Sequence, residues 1–486
     1  MLAQLHRPDS AVARNARDAW RGDRRGVIVV IIAVFLVGVV ACVALSVDLS
    51  YARLARSELR NAADSAALAA SGVLRDTRSV DQARSAAVQY AQYNRAAGSP
   101  VQLDPNVDVV FGQRVYNSGT QKWDFVPGQE PYDSVRVQAR RTVGSPGGPV
   151  GLFFGHALGR SSIETAGSAV ATYLPRDIAL VIDLSGSMLY DSTLYRENGT
   201  TINNQAIWQA LGSRTFGTMT NWSNLQSISS GTSTSNVISQ LGLTNLPYPY
   251  PGGSWSEFVS YVKGSDAKLP SSYRHKYGLK TWTDYTLQKR SFKTSTPSLS
   301  GTPEQPVTAL KQAVTIMLDY LETLDTEEWV SLSTFDTDSR VELHLTSNLD
   351  TVNSSMLDKQ AGHYLRETNI GGGILRGRQT LTTESARTGA KKMMIVFSDG
   401  VATEPGSDSE ARQYAIDQAT LAAEEDIVIH TISFSSLSDP GLMAEIAAIG
   451  RGVHFHVQSD SVAEYTQQLQ EVILNVSSIR PLALTK

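Results

Sequence analysis

An uncharged apolar run near the start of this 486-residue chain, VIVVIIAVFLVGVVACVALSV over residues 27–47, limits its possible folds more than anything else in the sequence. Hydrocarbon offers no hydrogen-bond partners. A segment of about 20 apolar residues that enters a bilayer must therefore satisfy its backbone internally, as a helix. The run predicts a transmembrane helix over 27–47, a leading segment over 1–26 and a large remainder beyond. Arg14, Arg17, Arg21, Arg24 and Arg25 precede the run, which puts the N-terminus in the cytoplasm and the bulk of the chain outside it. Arg53, Arg56 and Arg60 follow the run and weaken the asymmetry. Two rival fates have sequence support. A cleaved signal peptide wants a shorter apolar stretch and a small-residue cleavage site. Val39-Val40-Ala41-Cys42 is like a lipoprotein box, which would leave Cys42 lipidated, but the apolar run continues past it. A retained single-pass anchor fits the length best. Cys42 is the only cysteine, so any exported part is held by its cores and not by internal disulfides.

Past the span, DLSYARLARSELRNAADSAALAA (residues 48–70) consists of strong helix formers with no Gly or Pro, so the membrane helix is expected to continue outward. Its small side chains allow close helix packing. A second helical stretch covers about 80–96, where Gly98 and Pro100 stop it. From Val107 the period changes: VDVVFGQRVY, KWDFV and SVRVQARRTV alternate as half-buried strands do. Residues 48–173 thus read as a helix carrying a small α+β region. The Arg24-Arg25-Gly26 start, the span, Val47-Asp48-Leu49 and the string NAADSAALAA (61–70) resemble the N-terminal segment of TadE/TadG-like proteins of tight-adherence (Tad/Flp) pilus assembly. The resemblance is dense over 24–72 and looser to Tyr173. It implies a bacterial inner-membrane location and other pilus-assembly proteins as partners. An unrelated Ala-rich anchor helix is the plainer alternative.

From Asp177 onward, apolar strand-like runs alternate with amphipathic helices. The strands are IALVID, WVSLSTF, RVELHLT, KKMMIVFSD, IVIHTISF and VHFHVQ. Strands apolar on both faces and separated by helices predict a doubly wound, mostly parallel α/β sheet over 174–486. RVELHLT alternates and is the expected antiparallel edge. Residues 189–303 interrupt the pattern with a stretch rich in Ser, Thr, Asn, Gly, Tyr and Trp. Its length predicts an inserted subdomain, with mobile parts around 227–236 and 291–302. On this reading the insertion controls recognition and is dispensable for folding. Trp255, Tyr261, Trp282 and Tyr285 are either its core or an exposed recognition surface.

Three oxygen-bearing loops fall at strand ends or helix starts, where open α/β sheets bind ligands: Asp183-Leu184-Ser185-Gly186-Ser187, Thr368-Asn369-Ile370-Gly371-Gly372-Gly373, and Ser398-Asp399-Gly400. Hydroxyls and carboxylates suit hard cations such as Mg²⁺, Ca²⁺ or Mn²⁺, and two carboxylates barely neutralise a dication. The set resembles the metal-ion-dependent adhesion site of von Willebrand factor type A (vWA) domains. That resemblance implies a Rossmann-like fold and a metal site of Asp183, Ser185, Ser187, Thr368 and Asp399. It further implies direct ligation by the three hydroxyls, carboxylates acting mainly through water, and a protein partner supplying an acidic residue. The long insertion departs from the family and lies on the metal face. His454 and His456 share one side of a strand, as polar strand residues or as part of a second site. Asp336 and Asp338 read as a loop turn.

A net charge of −4 gives no track for nucleic acid. There is no P-loop, HExxH or GxSxG. The expectation is a membrane-anchored binding protein and not an enzyme, working through a metal-bridged partner in pilus assembly or adhesion. The alternative is a structural scaffold of a secretion or pilus machine whose metal only stabilises the fold.

Overall fold

The computed structural model describes residues 24–117, 119–120, 122–196, 204–264, 266, 268–323, 328–383, 386–387, 389–435, 438–457, 462–478 and 482–485. Arg14, Arg17 and Arg21 lie outside the described residues. The chain divides into two compact units, residues 1–173 with 481–486, and residues 174–480.

In the first unit, helix α1 (Arg24–Thr77) changes character along its length. From Val27 to Val47 its large apolar side chains are 41–72% exposed, and this is the one described stretch long and apolar enough to cross a membrane. Beyond it, Ala52, Ala55, Leu59, Ala62, Ala66, Ala70 and Leu74 recur every three or four residues and are buried. α2 (Val80–Gln92), capped by Ser79, packs its own Ala83, Ala87 and Ala91 into the same core. The sheet beneath consists of β1 (Val109–Asn117), β2 (Lys122–Pro127), β3 (Ser134–Arg141) and β4 (Thr165–Tyr173), all antiparallel in the order β4-β3-β1-β2. The alternate residues Val135, Val137 and Ala139 face the alanine seam. A Cβ on Gly167 of β4 would lie 2.4 Å from the Arg60 backbone nitrogen, so only glycine lets strand and helix approach this closely.

The second unit opens with β5 (Arg176–Asp183), buried along its whole length. The insertion follows with α3 (Asn204–Ala210), α4 (Thr234–Gln240), α5 (Trp255–Lys263) and α6 (Leu279–Lys289). Then come α7 (Val307–Glu322), β6 (Trp329–Phe335), β7 (Ser339–Thr346), α8 (Leu349–Leu357) and α9 (Ile370–Thr382). The unit ends with β8 (Lys391–Ser398), α10 (Asp408–Glu424), β9 (Val428–Phe434), α11 (Pro440–Ile449), β10 (Arg451–Val457) and α12 (Val462–Ser478). The sheet runs β7-β6-β5-β8-β9-β10, and only β7, the alternating run, is antiparallel. Ile178, Leu180 and Ile182 of β5 enter the core shared with α7, α8, α12 and the insertion. Ala179 and Val181 enter the core shared with α9, α10 and α11. Two helical layers therefore cover both faces of a mostly parallel sheet, the doubly wound arrangement. α9 can lie on the sheet because a Cβ on Gly373 would meet the Phe335 ring at 2.4 Å.

Two boundaries differ from the sequence reading. The last strand, β11 (Leu482–Thr485), does not end the second unit but pairs antiparallel with β4 of the first, Leu482 opposite Tyr173. Four residues are too few to show a period, and their partner lies some 300 residues away. The stretch 189–303 is not a separable insertion. Phe258, Tyr277, Trp282, Tyr285 and Leu299 belong to one continuous apolar cluster with Ile178, Leu180 and Val307 of the sheet layers. Trp255, Tyr261, Trp282 and Tyr285 are all buried, so they form core. The segments expected to be mobile carry regular elements: Ser227 pairs with Lys276, and a 3₁₀ turn spans Pro297–Gly301.

Asp284 on α6 is fully buried and accepts hydrogen bonds from the Leu194 backbone N–H and the Tyr261 hydroxyl, each at 2.7 Å. Burial pushes its carboxyl up to about 7. The folded chain therefore keeps this proton to higher pH than the unfolded chain does. The stability it contributes is complete below about pH 4 and is lost as pH rises through about 7. Asp284→Asn keeps one of the two acceptor oxygens and removes the titration. Between pH 5 and pH 8 the variant should lose less stability than the parent, by on the order of 2 kcal/mol in denaturant unfolding. Parallel stability losses in the two proteins would refute this.

Candidate metal centre

The switch in strand order falls between β5 and β8, and the carboxyl ends of both strands carry acidic residues. Asp183 closes β5 and Asp399 follows β8; both are fully buried. The turn after Asp183 folds back on it, with the Ser185 N–H donating to Asp183 Oδ1 at 2.7 Å. Ser185 and Ser187 hydroxyls then lie 2.9 Å apart, and Ser187 Oγ donates to Asp399 Oδ1 at 2.6 Å. Thr368 precedes α9, and Thr403 Oγ1 accepts its backbone N–H at 2.9 Å. A Cβ on Gly400 would lie 3.2 Å from Thr368 Oγ1 and 3.3 Å from Ser187 Oγ, so both hydroxyls flank one point where no side chain intrudes. All five residues singled out from the sequence thus meet at one place.

The other candidates do not join them. His454 and His456 lie on β10, with Nδ1 of each 2.8–2.9 Å from the Thr431 or Ser433 hydroxyl of β9. Asp336 Oδ2 accepts the Leu365 N–H and Oδ1 the Asp338 N–H, tying down loops.

Two buried carboxylates face each other at the centre. Burial raises Asp183 to about 6; burial and then the charge of Asp183 hold Asp399 well above the usual carboxylate range. Asp399 Oδ2 is buried and has no hydrogen-bond partner among the described residues. A divalent cation, directly or through its water, would satisfy that oxygen and both charges, so the residues fit such an ion. Among the described residues no three His, Cys, Asp or Glu side chains converge. A set of two carboxylates and three hydroxyls favours hard ions over zinc.

The sequence reading gave Ser398 no role beyond its place in the third loop, and missed Lys268, Lys289 and Arg366 around this centre. Ser398 Oγ donates to Asp183 Oδ2 at 2.6 Å, orienting that carboxylate from the neighbouring strand. The Arg366 carbonyl accepts the Gly186 N–H at 2.8 Å, and its guanidinium donates to the Leu287 carbonyl and to Ser291 Oγ. Beside the centre opens a cleft of about 480 Å³, bounded by Ser187, Thr368 and Gly400 on one side and by Lys268, Lys289 and Arg366 on others. Lys289 is paired with Asp266 at 2.6 Å. The adjacency of Ser398 to Asp399 could have flagged it. The lysines lie some 80 residues or more from any metal loop and carry no sequence signal.

Family models match three parts of the chain: the TadE/G-like Flp pilus-assembly family at residues 26–91, the Tad-like Flp pilus-assembly family at 69–171, and the von Willebrand factor type A domain at 300–472. The last match begins only at the end of the insertion, so β5 and its Asp183–Ser187 turn fall outside it although β5 sits in the middle of the same sheet. No curated protein sequence matches significantly. Similar solved structures include the conserved hypothetical protein BatB from Bacteroides thetaiotaomicron, 20% identical, covering 35% of this chain and 90% of that one, TM-score 0.28. The PilB minor pilin from Streptococcus sanguinis is 10% identical, covering 77% and 89%, TM-score 0.35. The vWF domain of the type V pili tip protein Mfa5 from Porphyromonas gingivalis is 10% identical, covering 63% and 97%, TM-score 0.30.

Proposed function

From a chain that carries Tad-type pilus-assembly regions over 26–171 and a von Willebrand factor type A domain matched over 300–472, we infer a membrane-anchored component of a Tad/Flp-type pilus system. On this reading its second unit captures a protein partner through a divalent metal, in assembly or adhesion. The observation that carries it is the unpartnered, buried Asp399 Oδ2 at the meeting point of three hydroxyls and a second carboxylate. When bound, the metal would supply an electrophilic position for an acidic group. Ser185, Ser187 and Thr368 would hold it, with Asp183 and Asp399 balancing its charge and Ser398 fixing Asp183. Lys268 and Arg366 beside the cleft add positive charge where an acidic partner would approach, which favours binding over catalysis. α1 would keep the assembly at a bacterial inner membrane, with 1–26 cytoplasmic.

The test is capture of pilus-assembly proteins by the detergent-solubilised full chain, with Mg²⁺ or with chelator. Recovery should require metal, and Lys268→Glu/Lys289→Glu should reduce it about tenfold, equivalent to about 1.4 kcal/mol. Recovery that is equal with chelator and unaffected by charge reversal would favour a scaffold whose metal only stabilises the fold.

A further inference from the structure

At the point where the exposed span of α1 ends, the first unit holds an apolar loop against the helix. Asp48, the residue after Val47, is only 6% exposed, and its carboxylate accepts the backbone N–H groups of Phe153, at 2.8 Å, and Phe154, at 3.1 Å. These bonds fix the loop to the helix across about 105 residues of sequence. The two phenylalanine side chains nevertheless remain in the open, 62% and 50% exposed. The Phe153 ring contacts that of Tyr51, one turn up α1, at 4.8 Å between centroids. Exposed aromatic rings held in place by a buried carboxylate are an unfavourable arrangement in water, where each costs apolar burial.

We propose that this Phe153-Phe154 loop is a second membrane contact, seated in the headgroup and upper acyl layer of the same bilayer that α1 crosses. The proposal rests on residues 27–47 being the span. A helix rises about 1.5 Å per residue, so Tyr51 stands about 6 Å beyond Val47. The interfacial layer on each side of the hydrocarbon is itself roughly 5–7 Å deep. Asp48, Tyr51 and the loop fixed to them therefore lie at headgroup level. Aromatic side chains concentrate in this layer. Arg53 and Arg56, exposed on the next turn, are placed to meet anionic phosphates. The loop would fix the tilt and rotation of the anchor, which a single helix leaves free. The occupant is lipid: the patch continues directly from an apolar surface whose length matches a bilayer.

The test uses the full chain in phosphatidylethanolamine–phosphatidylglycerol vesicles. Cys42→Ser removes the native thiol, and Phe153→Cys then carries an environment-sensitive fluorophore. Phe35→Cys and Asp76→Cys report the span and the far end of α1, the latter roughly 40 Å from Val47 along the helix. Lipids with nitroxide at the headgroup or upper chain should quench the probe at 153 by about half or more. The probe at 35 should answer to nitroxides deep in the chain, and the probe at 76 to none. Asp48→Ala should release the loop and weaken quenching at 153 while leaving 35 unchanged. Quenching at 35 but not at 153 overturns the proposal and leaves the anchor standing. No quenching at 35 removes the anchor and the proposal together. A blue-shifted but unquenched probe at 153 means protein covers the loop, which also overturns it.

Discussion

Replacing residues 189–303 by a short Gly/Ser linker is expected to abolish cooperative folding of the second unit. Chain entropy alone argues otherwise, since closing a shorter loop is favourable by only about 0.6 kcal/mol per halving. Packing decides the matter. Phe258, Tyr277, Trp282 and Tyr285 are each at most 1% exposed and share one apolar cluster with β5 and α7. Buried aromatics of this size each remove about 150–250 Å² from water, worth several kcal/mol apiece at about 25 cal/mol per Å². Deletion removes the cover of the sheet's own residues on that face. It also strips partners from the segment leading to Thr368. Gln360 loses the Ser291 and Thr296 carbonyls, His363 loses the Lys293 N–H, and Arg366 loses Leu287 and Ser291. Against a typical stability of about 5–15 kcal/mol this is decisive. Thermal unfolding by circular dichroism, with limited proteolysis to follow each unit, reads the result. A melting transition within a few degrees of the parent would show that the sheet stands without the insertion. Trp282→Ala is the graded form, expected to cost about 3–5 kcal/mol.

The sheet was legible because IALVID and KKMMIVF carry apolar residues on both faces, a pattern only a strand covered on both sides tolerates. RVELHLT announced an edge for the opposite reason. The site was legible because its five donors sit in loops directly after strands or at a helix start, where the topology brings chain segments together. What escaped depends on pairings that no local window contains. The aromatic residues of 189–303 left core and recognition surface both open, and a core reading did not say whose core. β11 pairs residue 482 with 173, and the cleft sets Lys268 and Lys289 near Ser187 and Thr368. A solvated lysine in sequence looks the same beside a metal as anywhere else. The loop at Phe153 escaped because its contact with Asp48 joins residues about 105 apart in sequence.

The second large effect is expected at the candidate metal centre. Asp399→Asn replaces one of the two carboxylates proposed to face the ion with a neutral amide. Asp183→Asn removes the other and weakens the bond from Ser398. Two buried carboxylates, the charge of one raising the proton affinity of the other, are what would attract a dication, and the repulsion between their charged forms is what the ion would relieve. Each variant should therefore bind Mg²⁺ or Mn²⁺ at least about 100-fold more weakly, about 2.7 kcal/mol. The apo protein should be as stable as the parent or more so, since a buried like-charge pair has been broken. Stability under excess metal separates these terms. A ligand at 100 times its dissociation constant stabilises by about 2.7 kcal/mol, which should raise the parent's melting temperature by roughly 4 °C. Neither variant should show that rise, and Ser398→Ala, which keeps both charges and frees Asp183 to turn, should show part of it. An equal metal-induced rise in the parent and in Asp399→Asn would place the ion elsewhere and take the proposed partner site with it. A lower apo stability in both variants would mean that the two carboxylates serve the fold first, through the Ser187 and Ser398 bonds.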